Sequence, residues 1–483
     1  MPERHHAALK AIVGAKGLVT GTGMDPYLVD WRGRQRGEAI AVVSPATTAE
    51  VAETVRYCAR EGLSIYPQGG NTGLCAGAVP RQGADGIVLA LARLSRIRQI
   101  DTVANVVVTE AGVPLAVLEN AVAARGRTFP LRLGSEGSAQ IGGLIATNAG
   151  GTGAVRYGVM RDLVLGLEAV LPDGSVVSRL GGLRKDNRGY DWKHLLIGGE
   201  GTLGIVTTAA LKLFPRLADE AHALCAVPDP ERAVALFARL RDRFDTRVEA
   251  CELVSGGQFA LALKTIEGLG HPLGAVPDWS VLIALGDTDA AAGLEARLVD
   301  FLAGAAEDGI LTDAVVAKNV AEAEAIWRLR HSLSEANRRG GHGIVFDVAV
   351  RISDVPRFVA LAFDAAARIA PEAEPFVVSH LGDGNVHIIV MLPRERQPEA
   401  DRLAAITERL FMAVHDAAEQ MSGSFSAEHG IGRKLVAELA HRLDPGELAL
   451  MQAIKRAIDP DGRMAPGVLL AAPGGDRHED AAE

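Results

Sequence analysis

Apolar and polar positions change rhythm along the chain. In the first 215 residues, short β-branched runs at 87–91, 106–110, 163–171 and 205–213 alternate with helical periodicity at 48–61 and 114–125. The second periodic stretch puts Leu115, Leu118, Ala121 and Val122 on one face. Glycine-rich segments at 69–77, 134–153 and 198–204 lie between these elements. Strands, short helices and glycine turns in alternation predict an α+β domain organised around its loops. Past Pro215 glycine thins out. Longer helical stretches follow at 230–244, 290–303, 402–421 and 447–458, with 281–285 as an unbroken apolar run suited to a buried strand. The change of character sets a domain boundary near 215–220. The tail, 471–483, is polar and reads as disordered.

A chain of 483 residues exceeds what one core normally fills, so two domains are expected. The formal charge of −10 argues against a nucleic-acid partner. Cys58, Cys75, Cys225 and Cys251 are scattered without C-x-x-C spacing. They fit a reducing compartment and supply neither a disulfide framework nor an iron–sulfur ligand set. The first 19 residues carry Glu3, Arg4, Lys10 and Lys16 where a secretory signal would be apolar, and no run approaches a membrane span. A cytoplasmic protein is expected, with peripheral membrane contact open.

The strongest local signal is Pro67-Gln-Gly-Gly-Asn-Thr-Gly-Leu74. Consecutive residues without bulky side chains let backbone N–H groups converge on an anion. A second region follows at Leu133-Gly-Ser-Glu-Gly-Ser-Ala139, continued by Ile141-Gly-Gly and Thr147-Asn-Ala-Gly-Gly-Thr152. Each alone reads equally well as a tight turn. Together they point to a nucleotide cofactor with a pyrophosphate. Gly199-Glu-Gly-Thr-Leu-Gly204 fits G-x-G-x-x-G, but β-branched residues follow where a dinucleotide fingerprint should open a helix, so NAD is rejected.

In the second half, 376–390 reads as two β-runs around an Asp-Gly turn, with His380 and His387 placed symmetrically about it. A hairpin would bring the two imidazoles close enough to share a divalent metal. Glu428 and His429, adjacent in Ser426-Ala-Glu-His-Gly-Ile-Gly432, offer a third ligand. Two histidines and a carboxylate would leave positions open for catalysis, while a pair of satisfied hairpin histidines is the plain alternative. A metal-dependent hydrolase would use the same set but leaves the first domain unexplained.

The motifs PQGGNTGL, GSAQIGG, TNAGG, RYG, GGEGTLGIVT, SHLGDGNVH, SAEHGIG and AIDPDGRMAPG, spread from about residue 42 to 469, resemble the FAD-linked oxidase family of the vanillyl-alcohol-oxidase/p-cresol-methylhydroxylase fold. The likeness is to its D-lactate and D-2-hydroxyglutarate dehydrogenase branch. The resemblance implies an FAD domain of two subdomains at 37–215, an antiparallel-sheet substrate or cap domain at 216–425, and a C-terminal helical segment at 426–470 returning to the FAD domain. It implies a pyrophosphate cradle of Gln68, Gly69, Gly70, Asn71, Thr72 and Gly73, with Gly134, Ser135, Ser138, Gly142, Asn148, Gly150, Glu200 and Ile205 lining the rest. No histidine stands in 70–72, where covalent relatives link the flavin, so non-covalent FAD is implied.

The same resemblance makes His380, His387 and Glu428 ligands of a divalent metal, zinc or manganese in type, and His429 the catalytic base. Arg330 and Ser334 would hold substrate oxygens. It also implies a small 2-hydroxy acid substrate, an external electron acceptor (a quinone, an electron-transfer flavoprotein or a cytochrome) and, at family level, a homodimer. Four departures stand out: Val345 replaces a usual Lys, Ile389 an Asn, Ala465 the Asn of N-P-G, and Arg132 an Asp. Without that cation and amide a second carboxylate lacks partners, which favours a D-lactate-like monocarboxylate or an apolar tail over D-2-hydroxyglutarate or D-malate. An oxygen-using oxidase and a non-catalytic flavin-binding subunit are the remaining rivals.

Overall fold

The computed structural model describes residues 2–83, 86–394 and 398–472; the tail expected to be disordered lies outside the described residues from 473 onward. Three strands, Ala41–Val43, Gly86–Ala90 and Ser64–Gln68, run parallel, and Leu18–Val19 adds an antiparallel edge. The helix Thr48–Glu61 carries the chain from Ala41–Val43 to Ser64–Gln68, the parallel strands on either side of Gly86–Ala90. Thr47 caps its first turn by accepting from the Glu50 amide, and Gly62 ends it at φ 72°. The apolar face Val51, Val55 and Cys58 is fully buried.

A second sheet is antiparallel, in the order Ile97–Asp101, Val106–Glu110, Ile205–Lys212, Val164–Val170, Val176–Arg179. Its central strand, Ile205–Lys212, follows directly on Gly199–Gly204, so that motif opens a strand, as its β-branched continuation requires. The two sheets share one core.

From Asp219 the chain builds a seven-stranded antiparallel sheet: Asp313–Val316, Asp219–Val227, Trp279–Asp287, Val248–Ser255, Glu374–His380, Asn385–Pro393, Gly341–Ala349. Helices cover both faces. Pro230–Phe244, Leu294–Glu307, Val355–Ile369 and Ala400–Glu419 pack on one, and Gly256–Thr265, Val320–His331 and Leu333–Gly340 on the other. Covered on both sides, the strands read as continuous apolar runs, which is why 281–285 is the centre of a longer strand, Trp279–Asp287. The helix expected at 290–303 starts later, at Leu294, because Gly293 takes φ 64° before it.

The C-terminal segment returns to the first sheet. The Ile65 amide donates to the Arg463 carbonyl (2.9 Å) and the Ala465 amide to the Ile65 carbonyl (2.8 Å). All four cysteines are buried and unpaired. No helix among the described residues is long and apolar enough to cross a membrane.

Candidate active site

The strand Ser64–Gln68 ends in the glycine-rich loop 69–73. Gln68 is buried and pins the loop's entry, its side-chain amide donating to the carbonyls of Tyr27 and Ala78 at 2.9 Å each. Asn71, at φ 52°, donates to the Val29 carbonyl at 2.8 Å. The amides of Gly69, Gly70, Asn71, Thr72 and Gly73 donate to no protein acceptor among the described residues, and neither does that of Gly143 facing them. Gly69, Gly70, Asn71 and Thr72 are half-buried and Gly73 is exposed, and consecutive loop amides left free of protein acceptors form a nest suited to an anion. A Cβ on Gly70 would sit 2.0 Å from the Ser138 carbonyl oxygen, so only glycine allows the two loops to close here.

Between them lies a cleft of about 950 Å³ of empty space, open mouth included. Gln68, Gly69, Gly70, Asn71, Thr72, Gly73, Gly142, Glu200 and Ile205 line it, as does His429. Gly134, Ser135, Ser138, Asn148 and Gly150 do not. Gly134 and Ser138 are exposed, and Ser138 acts through its backbone against Gly70. Asn148, at φ 51°, accepts from the Arg161 amide. Gly150 sits nearer the histidine cluster, where a Cβ would lie 3.7 Å from Glu428 Oε2. Glu200 is held at φ 48°, an uncommon conformation of the kind that concentrates at functional sites.

The second centre lies at the end of the cap sheet. The hairpin pairs Val378 with His387 and His380 with Asn385, so the histidines are diagonal neighbours rather than directly opposite. Symmetry about the turn placed the register two residues off. A two-residue slip keeps a side chain on its face, so both imidazoles still point the same way, with centroids 5.6 Å apart. Asp347 stands opposite His387 on the neighbouring edge strand.

One donor atom each from Asp347, His387, Glu428 and His429 lies within 4.8 Å of the others. Glu428 Oε1 is 3.4 Å from His387 Nε2 and 3.6 Å from His429 Nε2. Asp347 is 3.6 Å from His387 Nδ1 and 3.5 Å from His429 Nδ1. Two carboxylates and two imidazoles converging in a half-buried site suit a divalent cation in chemistry. His380 stands outside this group of four. Its Nδ1 meets Glu252 Oε1 at 2.6 Å, which leaves Nε2 as its available nitrogen.

Glu252, 1% exposed, bridges the site to Arg330, whose Nη2 and Nε lie 2.6 Å and 2.8 Å from Oε2. Burial alone would raise the Glu252 carboxyl, but His380 and Arg330 pull it down to about 2. Burial likewise disfavours the His380 cation, yet Glu252 outweighs it and raises that imidazole to about 9. His429 goes the other way: burial lowers it despite Asp347. Ser334 is exposed four residues beyond Arg330, in the helix Leu333–Gly340, and its hydroxyl makes no hydrogen bond among the described residues.

The two centres meet through the loop 426–432. From the cap side, Asp347 Oδ2 accepts the amides of Glu428 (2.9 Å) and His429 (2.8 Å). From the cleft side, Glu200 accepts those of Ile431 (2.8 Å) and Gly432 (2.7 Å). Clamped at both ends, the loop presents His429 to cleft and cluster at once. Asp347 and Glu252 had no role assigned from sequence. Their signal is an acid set among buried apolar neighbours in a β-run: Asp347 between Phe346 and Val348, and Glu252 between Cys251 and Leu253.

Two family models match the chain. The model for FAD linked oxidases, C-terminal domain, matches residues 216–469, and that for an FAD binding domain matches 39–179. The chain is 33% identical to a mitochondrial D-2-hydroxyglutarate dehydrogenase of Arabidopsis thaliana over 95% of its length and 80% of the relative's. It is 31% identical to a putative mitochondrial D-lactate dehydrogenase of Schizosaccharomyces pombe, over 96% and 90%. Among solved structures, p-cresol methylhydroxylase with substrate bound superposes with a TM-score of 0.78 at 17% identity, covering 98% of each chain, which shows the fold.

Proposed function

The chain belongs to the FAD-linked oxidase family, and on that premise we propose that it oxidises a small D-2-hydroxy acid to the 2-keto acid where the cleft meets the histidine–carboxylate cluster. The observation that carries this reading is His429, which lines the cleft and stands within 3.6 Å of Glu428 in the cluster. Non-covalent FAD fits the unpaired amides of 69–73 and, when bound, supplies the acceptor for the C2 hydride. A divalent metal, zinc or manganese in type, would be held by His380, His387 and Glu428 with Asp347 beside them, and would acidify the substrate hydroxyl.

The protein's own groups do the rest. Arg330 has its Nε–Nη2 edge on Glu252, and its Nη1 is left to orient the substrate carboxylate, with Ser334 following on the same side. His429, kept neutral by burial, takes the hydroxyl proton as the hydride leaves C2, so one proton and one hydride convert the alcohol to the ketone. Electrons then pass to an external acceptor, a quinone, an electron-transfer flavoprotein or a cytochrome. The buried, dispersed cysteines cannot assemble a cluster to receive them. A D-lactate-like monocarboxylate is favoured because Val345 and Ile389 offer a second carboxylate nothing. The D-2-hydroxyglutarate name of the plant relative favours the dicarboxylate instead.

Chelator-treated protein, mixed anaerobically with D-lactate, tests the metal's part. Slow flavin reduction restored by zinc or manganese, and its absence in Glu428→Gln, are expected. Full-rate reduction in metal-free protein would remove the metal from the reaction.

A further inference from the structure

Three imidazoles surround the site, and each turns Nδ1 toward a carboxylate. His380 sets Nδ1 against Glu252 Oε1 at 2.6 Å. His387 and His429 lie stacked, with centroids 5.4 Å apart and planes 22° from parallel, and both turn to a single acid. Asp347 Oδ1 is 3.6 Å from His387 Nδ1, and its Oδ2 is 3.5 Å from His429 Nδ1. At the other end of the two rings, both Nε2 atoms face Glu428 Oε1, at 3.4 Å and 3.6 Å. Asp347 and Glu428 therefore stand at opposite ends of the same pair of rings. Whatever binds the Nε2 lone pairs beside Glu428 is separated from Asp347 by the width of an imidazole.

The carboxylate of Asp347 is also already engaged. Its Oδ2 accepts the amides of Ala427, Glu428 and His429 at 3.2, 2.9 and 2.8 Å. Its Oδ1 accepts the side-chain amide of Asn385 at 2.9 Å. Four N–H donors on a buried carboxylate hold it as the anion and fix its plane. Asn385 is buried too, and its second amide hydrogen goes to the Val348 carbonyl at 3.0 Å. Its Oδ1 has no partner among the described residues. An orphaned buried acceptor is costly, yet a flipped amide would set that oxygen against the Asp347 anion, so the carboxylate dictates how Asn385 lies. A neutral imidazole with a carboxylate at Nδ1 keeps its proton there and offers Nε2 as a lone pair.

We propose that Asp347, anchored by Asn385, is a positioning residue rather than a metal ligand. One of its oxygens fixes His387 and the other His429, each with the proton on Nδ1. Nε2 of His387 is thereby left for the metal and Nε2 of His429 for the substrate proton. The inference rests on the proposed oxidation of D-2-hydroxy acids at this site. The two Nδ1 gaps exceed a formed hydrogen bond by about 0.6 Å, and contacts of this kind tighten when a site fills. Asp347→Asn keeps the shape but reverses one end. The loop amides retain the amide oxygen, and the new NH2 group is turned on His387 Nδ1, which pushes that ring's proton to Nε2.

The test compares Asp347→Asn, Asn385→Ala and Glu428→Gln holoenzymes, with rates counted per bound FAD. Zinc should still bind Asp347→Asn, with affinity lowered about 10–100-fold. At saturating zinc, flavin reduction is followed with D-lactate or D-2-hydroxyglutarate, whichever reduces the wild-type flavin faster. In Asp347→Asn its limiting rate should fall about 100-fold or more while half-saturation stays within about threefold. In the milder Asn385→Ala the rate should fall about tenfold. With cobalt in place of zinc, the visible d–d bands should keep position and intensity in Asp347→Asn and Asn385→Ala and change in Glu428→Gln. Bands that change in Asp347→Asn as they do in Glu428→Gln make Asp347 a ligand and overturn the inference, as does an unchanged rate in either Asp347→Asn or Asn385→Ala. If no D-2-hydroxy acid reduces the wild-type flavin, the underlying reading fails, while the cobalt bands still decide whether Asp347 is a ligand.

Discussion

Glu252→Gln removes one negative charge and almost no volume from the most buried ionic contact of the site. Its carboxylate is 1% exposed and meets both His380 Nδ1 and Arg330 Nη2 at 2.6 Å. Removing one partner of a buried pair typically costs about 3–5 kcal/mol, because the other charge is left without compensation. Here one acid serves two cations, so the upper part of that range is expected. With an m-value of about 2–3 kcal/mol per molar urea, the cap-domain transition should move down by roughly 1.3–2.5 M. Fluorescence of Trp279 and Trp327, which both lie in the cap, reports that transition. Metal affinity should fall with it by roughly 10–100-fold, since His380 loses the carboxylate that orients it. The double variant with Arg330→Met should lose less than the sum of the singles. A midpoint within 0.3 M of wild type, a shift worth only about 1 kcal/mol on that slope, would refute the assignment of Glu252 as a paired buried charge.

Three further outcomes follow. His429→Ala should keep FAD and the fold but slow flavin reduction by substrate at least about 100-fold in stopped flow; an unchanged rate would remove it as base. Gly70→Ala should yield largely colourless protein, because the added carbon would stand 2.0 Å from the Ser138 oxygen; normal flavin content on absorbance would show that the loops have room to part. Ala465→Gly should stabilise by about 0.5–1 kcal/mol in urea unfolding, since Ala465 sits at φ 45°, where a β-carbon is strained; a loss of stability would contradict that strain.

Local rules carried much of the fold. The helix Thr48–Glu61 has a capping threonine and a closing glycine in sequence, and Val106–Glu110 and Ile205–Lys212 are β-branched runs between turn signals. Less legible were features set by packing at a distance. The hairpin register at His380 depends on a four-residue turn, 381–384, where symmetry suggested two. Glu252 binds Arg330 and His380 across 78 and 128 residues of sequence, a pairing no local pattern announces. The glycine loops were readable because closeness of backbone is written in the residue itself; which amides stay unpaired was not. Ala465 marks a site where sequence and structure inform each other, its positive φ explaining why an asparagine is usual there.

The most direct measurement is an anaerobic absorbance spectrum of the purified protein before and after adding D- and L-2-hydroxy acids. A yellow protein bleached by D-enantiomers and left unchanged by L-enantiomers is the predicted result. A protein that stays colourless when FAD is added, or a flavin that no 2-hydroxy acid of either hand reduces, would contradict the proposed reaction.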